Sequence, residues 1–237
     1  MRASLLLFVV AAVLSAGCRS EVPAPKAADP NAKPAAPVAV SKPRIVFLGD
    51  SLTAGLGLSS EQSYPALIAG RLVAEGFDYE VVNAGVSGDT SAGGLRRLDW
   101  SLQGDVKILV VALGANDGLR GLSPAELKRN LKAVITRATA KGVTVILAGM
   151  EAPPNFGADY TRQFREVYGE LATAHHVRLL PFLLHGVAGE SSLNQSDGIH
   201  PNARGAQMVA ELVWAELKPS LVRPIQAVTP HAPNPQP

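Results

Sequence analysis

Three scarcities limit what this sequence of 237 residues can be. It contains a single cysteine, so no disulfide can form within the chain. Its formal net charge is only +2, and it has no run of lysine and arginine and no aromatic platform, which argues against nucleic-acid binding. The apolar stretch from Leu5 to Leu14 is too short to span a bilayer.

The first 18 residues have the pattern of an export signal. Arg2 precedes the apolar stretch, and small residues then lead to the only cysteine in "LSAGC". A small-residue run that ends in a lone cysteine resembles the lipobox of bacterial lipoproteins, and by that resemblance Cys18 is the lipidated anchor to the membrane. Arg19 after the cysteine favours the outer membrane, with the domain facing the periplasm or the cell exterior. The alternative is plain secretion with a spare thiol.

Composition divides the rest of the chain into three segments. Residues 19–43 are rich in proline, alanine and lysine without a hydrophobic period, which predicts an extended, disordered linker. Residues 219–237 have the same character and predict a disordered tail. Residues 44–218 remain as one domain of ordinary size.

Short apolar runs alternate with helical stretches throughout this domain. The runs are apolar at successive positions, which is typical of strands covered on both faces. The candidate strands are residues 44–48, 79–84, 107–113, 143–149 and 177–182. This alternation predicts an α/β fold, a three-layer α/β/α sandwich around a flavodoxin-like parallel sheet of about five strands. Ligands then bind beyond the carboxyl ends of the strands.

Two helices carry clear start signals. Before residues 124–141, Ser123 is a candidate N-cap, Pro124 takes the first helical position and Glu126 would close a capping box. Asn202 is a candidate cap for a last helix that ends near Leu217.

Polar or glycine-rich blocks follow the first two candidate strands. In "GDSLTAGLG", Ser51 lies at a strand-to-helix turn and is either a helix-capping serine or a nucleophile. Thr53 stands where the usual nucleophile elbow needs glycine. In "NAGVSGDTSAGG", the lysine of a phosphate-binding loop is missing, so we expect Gly85 to present its N–H to a reacting atom.

Two further blocks supply an amide and a candidate base. Asn116 in "LGAND" either donates to a developing oxyanion or stabilises a local turn. In "SDGIHPN", Asp197 precedes His200 by three residues and is placed to orient its imidazole across a turn at Gly198. Among the five histidines only His200 has this support.

Together, the serine, glycine, asparagine and aspartate–histidine blocks resemble the SGNH, or GDSL-type, esterases and lipases. The similarity to the bacterial thioesterase I/arylesterase/lysophospholipase group extends over the longer stretches "VVNAGVSGDTSAGGLRRL", "VALGANDGLRGL" and "DGIHPNARGAQ". The resemblance implies the SGNH hydrolase fold, with a catalytic triad of Ser51, Asp197 and His200. It implies an oxyanion hole formed by Ser51, Gly85 and Asn116.

The implied activity is hydrolysis of acyl or aryl esters, thioesters or lysophospholipids through an acyl-enzyme, with no metal and no organic cofactor. The implied partners are the substrate and, through Cys18, a membrane; no nucleic acid and no protein partner is implied. Asp50, Asp89 and Asp117 are expected to bind loop backbone rather than react. A carbohydrate O-deacetylase of the same fold and a non-catalytic flavodoxin-like binding module are the alternatives.

Overall fold

The structure is a computed structural model that describes residues 41–223. The predicted signal, Cys18, most of the predicted linker and the tail beyond residue 223 lie outside the described residues. Within residues 41–223, no helix has both the length and the apolar character needed to cross a membrane.

Five parallel strands form one sheet in the order β2-β1-β3-β4-β5. They are β1 (Arg44–Gly49), β2 (Glu80–Gly85), β3 (Val106–Ala112), β4 (Thr144–Ala148) and β5 (Arg178–Leu180). This order confirms the flavodoxin-like sheet. The first four strands lie within one residue of their predicted bounds, whereas β5 ends two residues early, directly before Pro181, which has no N–H to donate to a ladder.

Eight α-helices connect and cover the strands within the described part of the chain. They are α1 (Ser51–Ala54), α2 (Tyr64–Ala74), α3 (Ser91–Arg96), α4 (Leu98–Ser101), α5 (Ala115–Leu119), α6 (Pro124–Thr139), α7 (Ala158–His175) and α8 (Ala203–Leu217). Helix α2 packs against α8, and α6 packs against both α3 and α7. These two helix layers enclose the sheet and complete the three-layer sandwich.

The centre of the sheet supplies the deepest part of the core. In β1, residues 45–48 are all at most 1% exposed, and in β3 residues 108–111 are equally buried. Burial of successive residues follows from helices on both faces, as the unbroken apolar runs predicted. The central strands β1 and β3 therefore form a rigid base for the loops that follow them.

The two predicted helix caps have different outcomes. Asn202 is confirmed as the cap of α8, because its Oδ1 accepts the N–H groups of Arg204 at 3.0 Å and Gly205 at 3.1 Å. The capping box at α6 is wrong, because the Ser123 side chain makes no capping hydrogen bond. Glu126 instead accepts a hydrogen bond from Arg129, one turn along the same helix.

The folded domain also extends beyond its predicted end at residue 218. Lys218–Ser220 form a 3-10 helix, and Leu221 packs against the hydrophobic core. The predicted start of the disordered tail at residue 219 is therefore too early.

Candidate active site

Ser51 is the first residue of α1, directly beyond the carboxyl end of β1. Asp50 caps this helix, since its Oδ1 accepts the N–H of Leu52 at 3.0 Å. The short helix is fixed to α2 by a hydrogen bond of 2.8 Å between the hydroxyls of Thr53 and Tyr64. Ser51 is thus held at the carboxyl end of the central strand β1, and its own N–H has no hydrogen-bond partner within the described residues.

A hydrogen-bond relay joins Ser51 to the loop before α8. Ser51 Oγ lies 2.9 Å from His200 Nε2, and His200 Nδ1 lies 2.7 Å from Asp197 Oδ2. A carboxylate can only accept, so Nδ1 carries the proton and Nε2 is left to accept the Ser51 hydroxyl. The structure therefore brings together the three residues that were predicted to form a catalytic triad.

The Asp197 carboxylate is stabilised in its charged form. Its Oδ1 accepts the backbone N–H groups of His200 at 3.0 Å and Ile199 at 2.9 Å. These two bonds, followed by the bond from the His200 ring, lower the pKa of Asp197 to about 2. The carboxylate is consequently anionic at neutral pH and available to orient a histidine and stabilise its charged form.

The predicted role of Gly85 is wrong, because its N–H is already in use. That N–H donates to Asn83 Oδ1 at 3.0 Å, and Asn83 Nδ2 in turn donates to Thr53 O at 2.9 Å. A Cβ at position 85 would collide with the backbone at Ala54. Gly85 is therefore needed for close packing of β2 against α1, and its N–H is not free for a ligand.

Gly88, three residues further along the same loop, has the free N–H that Gly85 lacks. Within residues 41–223 this N–H has no hydrogen-bond partner, and Gly88 is exposed with φ at +83°, a conformation that favours glycine. The loop is fixed to β1 by a bond of 3.0 Å from Val86 N–H to Gly49 O. Gly85 ends β2 and Gly88 lies in the loop after it, and the sequence alone does not show which of the two N–H groups is free.

Asn116 lies in α5 beside this loop, as the block after β3 predicted. One hydrogen of its Nδ2 is donated to Asp89 O at 3.0 Å, and the other has no acceptor among residues 41–223. The neighbouring Asp117, only 2% exposed, accepts the N–H of Ser91 at 2.7 Å and its hydroxyl at 2.5 Å. These bonds fix α5 to α3, so the Asn116 amide is held at the backbone oxygen of Asp89.

Arg97 was not identified from the sequence, although it joins the carboxyl ends of β1 and β2 to the loop that follows β2. Its guanidinium donates to Asp89 Oδ2 at 2.6 Å, Ala84 O at 2.7 Å and Gly49 O at 2.7 Å. The expectation that Asp89 binds loop backbone is thus wrong, since its carboxylate pairs with Arg97. For Asp50 the expectation is confirmed by its bond to the Leu52 N–H.

The sequence pattern of the GDSL-like lipase/acylhydrolase family matches residues 47–208, which include every residue of this site. The chain belongs to this family. It is 47% identical to the esterase TesA of Pseudomonas aeruginosa over 178 residues, which cover 75% of this chain and 89% of that protein. It is 36% identical to the thioesterase 1/protease 1/lysophospholipase L1 of Escherichia coli K12, covering 74% and 83% of the two chains.

Solved structures agree with this membership. The crystal structure of TesA superimposes with a TM-score of 0.73 at 46% identity, covering 75% of this chain and 99% of that one. This GDSL-like chain therefore matches the TesA structure over nearly the whole length of TesA.

This GDSL-like hydrolase has an apolar groove whose lining includes Gly198 and Ile199, the two residues before His200. Its lining is mostly aliphatic or aromatic and includes Ala115, Leu119, Ala152, Pro153, Phe182 and Ile199. A second, narrower cleft lies against Ser51 and His200 and is also largely apolar, with Leu56, Tyr64, Leu184 and Val209. Between residues 41 and 223 no three histidine, cysteine or acidic side chains converge as metal ligands. The site thus offers apolar contact in the cleft at Ser51 and in the groove next to it.

Proposed function

We propose that this protein is a serine hydrolase that cleaves carboxylic ester and thioester bonds of acyl or aryl substrates through an acyl-enzyme. The observation that carries the proposal is the relay from Ser51 Oγ through His200 to Asp197, with hydrogen bonds of 2.9 Å and 2.7 Å. The names of its relatives, an esterase and a thioesterase/lysophospholipase, favour the same bond types.

In the first step, Ser51 Oγ attacks the substrate carbonyl carbon while its proton passes to His200 Nε2. The carbonyl oxygen becomes negatively charged in the tetrahedral intermediate. Asp197 remains anionic and stabilises the positive charge that develops on the imidazole. His200 then gives the proton to the leaving alcohol or thiol, and the acyl group stays on Ser51.

Water completes the cycle by the same route. His200 removes a proton from water as the oxygen attacks the acyl-enzyme, and the proton returns to Ser51 Oγ as the acid leaves. Each residue thus regains its starting protonation state. Neither half-reaction requires a metal or an organic cofactor.

We propose the N–H groups of Ser51 and Gly88 and the free Nδ2 hydrogen of Asn116 as donors to the oxyanion. Support comes from the N–H groups of Ser51 and Gly88, which have no partner within the described residues, and from the Asn116 bond at 3.0 Å to the backbone oxygen of Asp89, the residue after Gly88. Preorganised donors of this kind contribute roughly 2.7 to 4 kcal/mol each.

An acyl chain is the substrate part that suits the apolar groove. The groove is lined by Leu119, Phe182 and Ile199, which favour a chain of several methylenes over a compact acetyl group. Medium-chain and aryl esters, thioesters and lysophospholipids therefore fit the site better than acetylated carbohydrates.

The proposal is tested with a fluorophosphonate probe and a panel of aryl ester, acyl thioester and lysophospholipid substrates of several chain lengths. We expect labelling of the wild type, hydrolysis of the longer acyl substrates, and loss of both in Ser51→Ala. Absence of labelling would favour a binding module, and hydrolysis restricted to acetyl esters would favour a carbohydrate deacetylase.

The phosphonylated enzyme also distinguishes the two glycines. Its phosphoryl oxygen occupies the place of the substrate oxyanion, so a donor N–H acquires a new hydrogen bond. In ¹H–¹⁵N NMR spectra we expect a downfield shift of the Gly88 amide proton, whereas the Gly85 proton, already bonded to Asn83, changes little. The reverse pattern would contradict the assignment of Gly88.

We further propose that the protein is exported and anchored to the outer membrane through a lipid on Cys18. Arg2, the apolar residues Leu5 to Leu14 and the small residues before the cysteine support this. Two or three acyl chains give stable anchoring, since each buried methylene contributes roughly 0.8 kcal/mol. Membrane fractionation of Cys18→Ser is the test, and unchanged membrane association would contradict the anchor.

A further inference from the structure

The two halves of the serine–histidine pair come from distant parts of the chain. Ser51 and His200 are separated by 149 positions, yet their side chains must remain within hydrogen-bond distance. Ser51 starts a helix of four residues, and His200 lies in the loop before α8. Neither element is long enough to fix this distance by itself.

One side chain bridges the two segments. Gln195 Nε2 donates to Leu56 O at 2.7 Å and to Pro201 O at 3.0 Å. Leu56 belongs to the loop after Ser51, and Pro201 follows His200 directly. A single carboxamide thus uses both of its hydrogens to join the serine segment to the histidine segment.

Backbone hydrogen bonds continue this bridge to the reacting residues themselves. Leu56 N–H donates to Ser51 O at 3.1 Å, and Gln195 N–H donates to His200 O at 2.8 Å. The path from the Ser51 peptide to the His200 peptide therefore consists of consecutive hydrogen bonds centred on Gln195. None of the donor and acceptor atoms in this path exchanges a proton or forms a covalent bond in the proposed reaction.

The serine segment is shaped to accept this carboxamide. Gly57, next to Leu56, has φ at +78°, and a Cβ at this position would collide with the Gln195 carboxamide. Gly57 thus leaves the space that the Gln195 side chain fills.

We propose that Gln195 is a positioning residue that sets the distance between Ser51 Oγ and His200 Nε2. The inference rests on the proposed function and adds a residue to it. Misplacement of reacting groups by about 1 Å costs on the order of 10²-fold in rate. Loss of the bridge therefore lowers the rate of serine activation, while the apolar groove and the affinity for substrate are retained.

The informative variants are Gln195→Met, which is nearly isosteric and cannot donate, and Gln195→Glu, which directs a carboxylate at two carbonyl oxygens. Gln207 is the matched control, because it is exposed on α8 and makes no side-chain hydrogen bond within the described residues. Gln207→Met and Gln207→Glu make the same chemical changes outside the bridge.

We expect Gln195→Met to lower kcat by about 10- to 100-fold with KM within about twofold of the wild type, and Gln195→Glu to lower it further. The fluorophosphonate labelling rate should fall in parallel, because the probe also needs an activated Ser51. Both Gln207 variants should match the wild type.

A merely structural role would lower Tm but leave kcat unchanged well below the unfolding transition. Wild-type kcat in Gln195→Met would overturn the inference. If that variant does not fold, Gln195→Asn takes its place, since its shorter amide cannot reach both carbonyls and the same loss is expected. An inactive, unlabelled wild type would instead refute the proposed function.

Discussion

The base side and the oxyanion side of this site are built in different ways. Asp197 and His200 are three residues apart, and one tight turn provides their mutual bonds. The proposed oxyanion side combines Ser51, Gly88 and Asn116, which follow the ends of three strands. A pair held by its own turn is readable from local sequence, whereas a set assembled across a sheet depends on contacts between remote residues.

Two aspartates near Ser51 and His200 have pKa values that are shifted in opposite directions. Asp197 is exposed and accepts two backbone N–H groups, and its pKa falls to about 2. Asp50 is 1% exposed with Oδ2 lacking any partner among the described residues, and burial raises its pKa to about 6. The number of N–H donors and the access of water decide the direction in each case.

The largest expected effect comes from breaking the base side. His200→Ala removes the proton acceptor of Ser51, and we expect kcat to fall by about 10⁴- to 10⁶-fold. His185, exposed in a nearby turn, provides the control. His185→Ala should keep wild-type kinetics, and a comparable loss in both variants would contradict the assignment of the base.

A smaller effect is expected on the oxyanion side, where three donors share the charge. Asn116→Ala removes one of them and should lower kcat by about 10²- to 10³-fold with little change in KM. Asn155, exposed in the 3-10 helix Pro154–Phe156, supplies the control variant Asn155→Ala. An increase in KM at constant kcat would instead assign Asn116 to substrate binding.

The smallest effect concerns stability rather than rate. The folded pKa of Asp50, about 6, exceeds its ordinary value of 3.8, so its contribution favours the folded state at low pH and is lost as pH rises towards 6. This difference corresponds to roughly 3 kcal/mol at most. Between pH 4 and pH 8, the free energy of unfolding of the wild type should fall relative to that of Asp50→Asn.

Urea unfolding at the two pH values measures this difference. The amide introduced by Asp50→Asn would retain an oxygen that accepts the Leu52 N–H, but it cannot ionise. Asp159, whose side chain is 92% exposed, gives a control variant, Asp159→Asn, that should keep the wild-type pH dependence. Parallel curves for the wild type and Asp50→Asn would show that the Asp50 carboxyl does not titrate in this range.

Much of the fold was predictable because burial on both faces leaves unbroken apolar runs. Ser51, Asp197 and His200 were predictable because a strand end, a turn glycine and a three-residue spacing are visible in the sequence. The proposal of Gly88 in place of Gly85 could not be made from the sequence, since it depends on Asn83 occupying the Gly85 N–H. The capping box is absent because the Ser123 side chain makes no capping hydrogen bond, and Glu126 pairs with Arg129 instead.

Arg97 and Gln195 were missed for a related reason. Each makes its decisive contacts with backbone carbonyls, which every residue possesses and no sequence pattern marks. Their roles emerge only when the partner segments, up to 139 positions away, are in place.

The parallel sheet also separates the site from the ends of the domain. Pro43 and Val222 line one cavity at the amino end of the strands, where Pro43 O accepts the Glu80 N–H at 2.9 Å and Val222 N–H donates to Tyr79 Oη at 3.2 Å. Ser51 lies at the other end of β1. A carrier joined to the domain next to Pro43 or Val222 would therefore be attached at the end of the sheet opposite to Ser51 and should leave the substrate groove open.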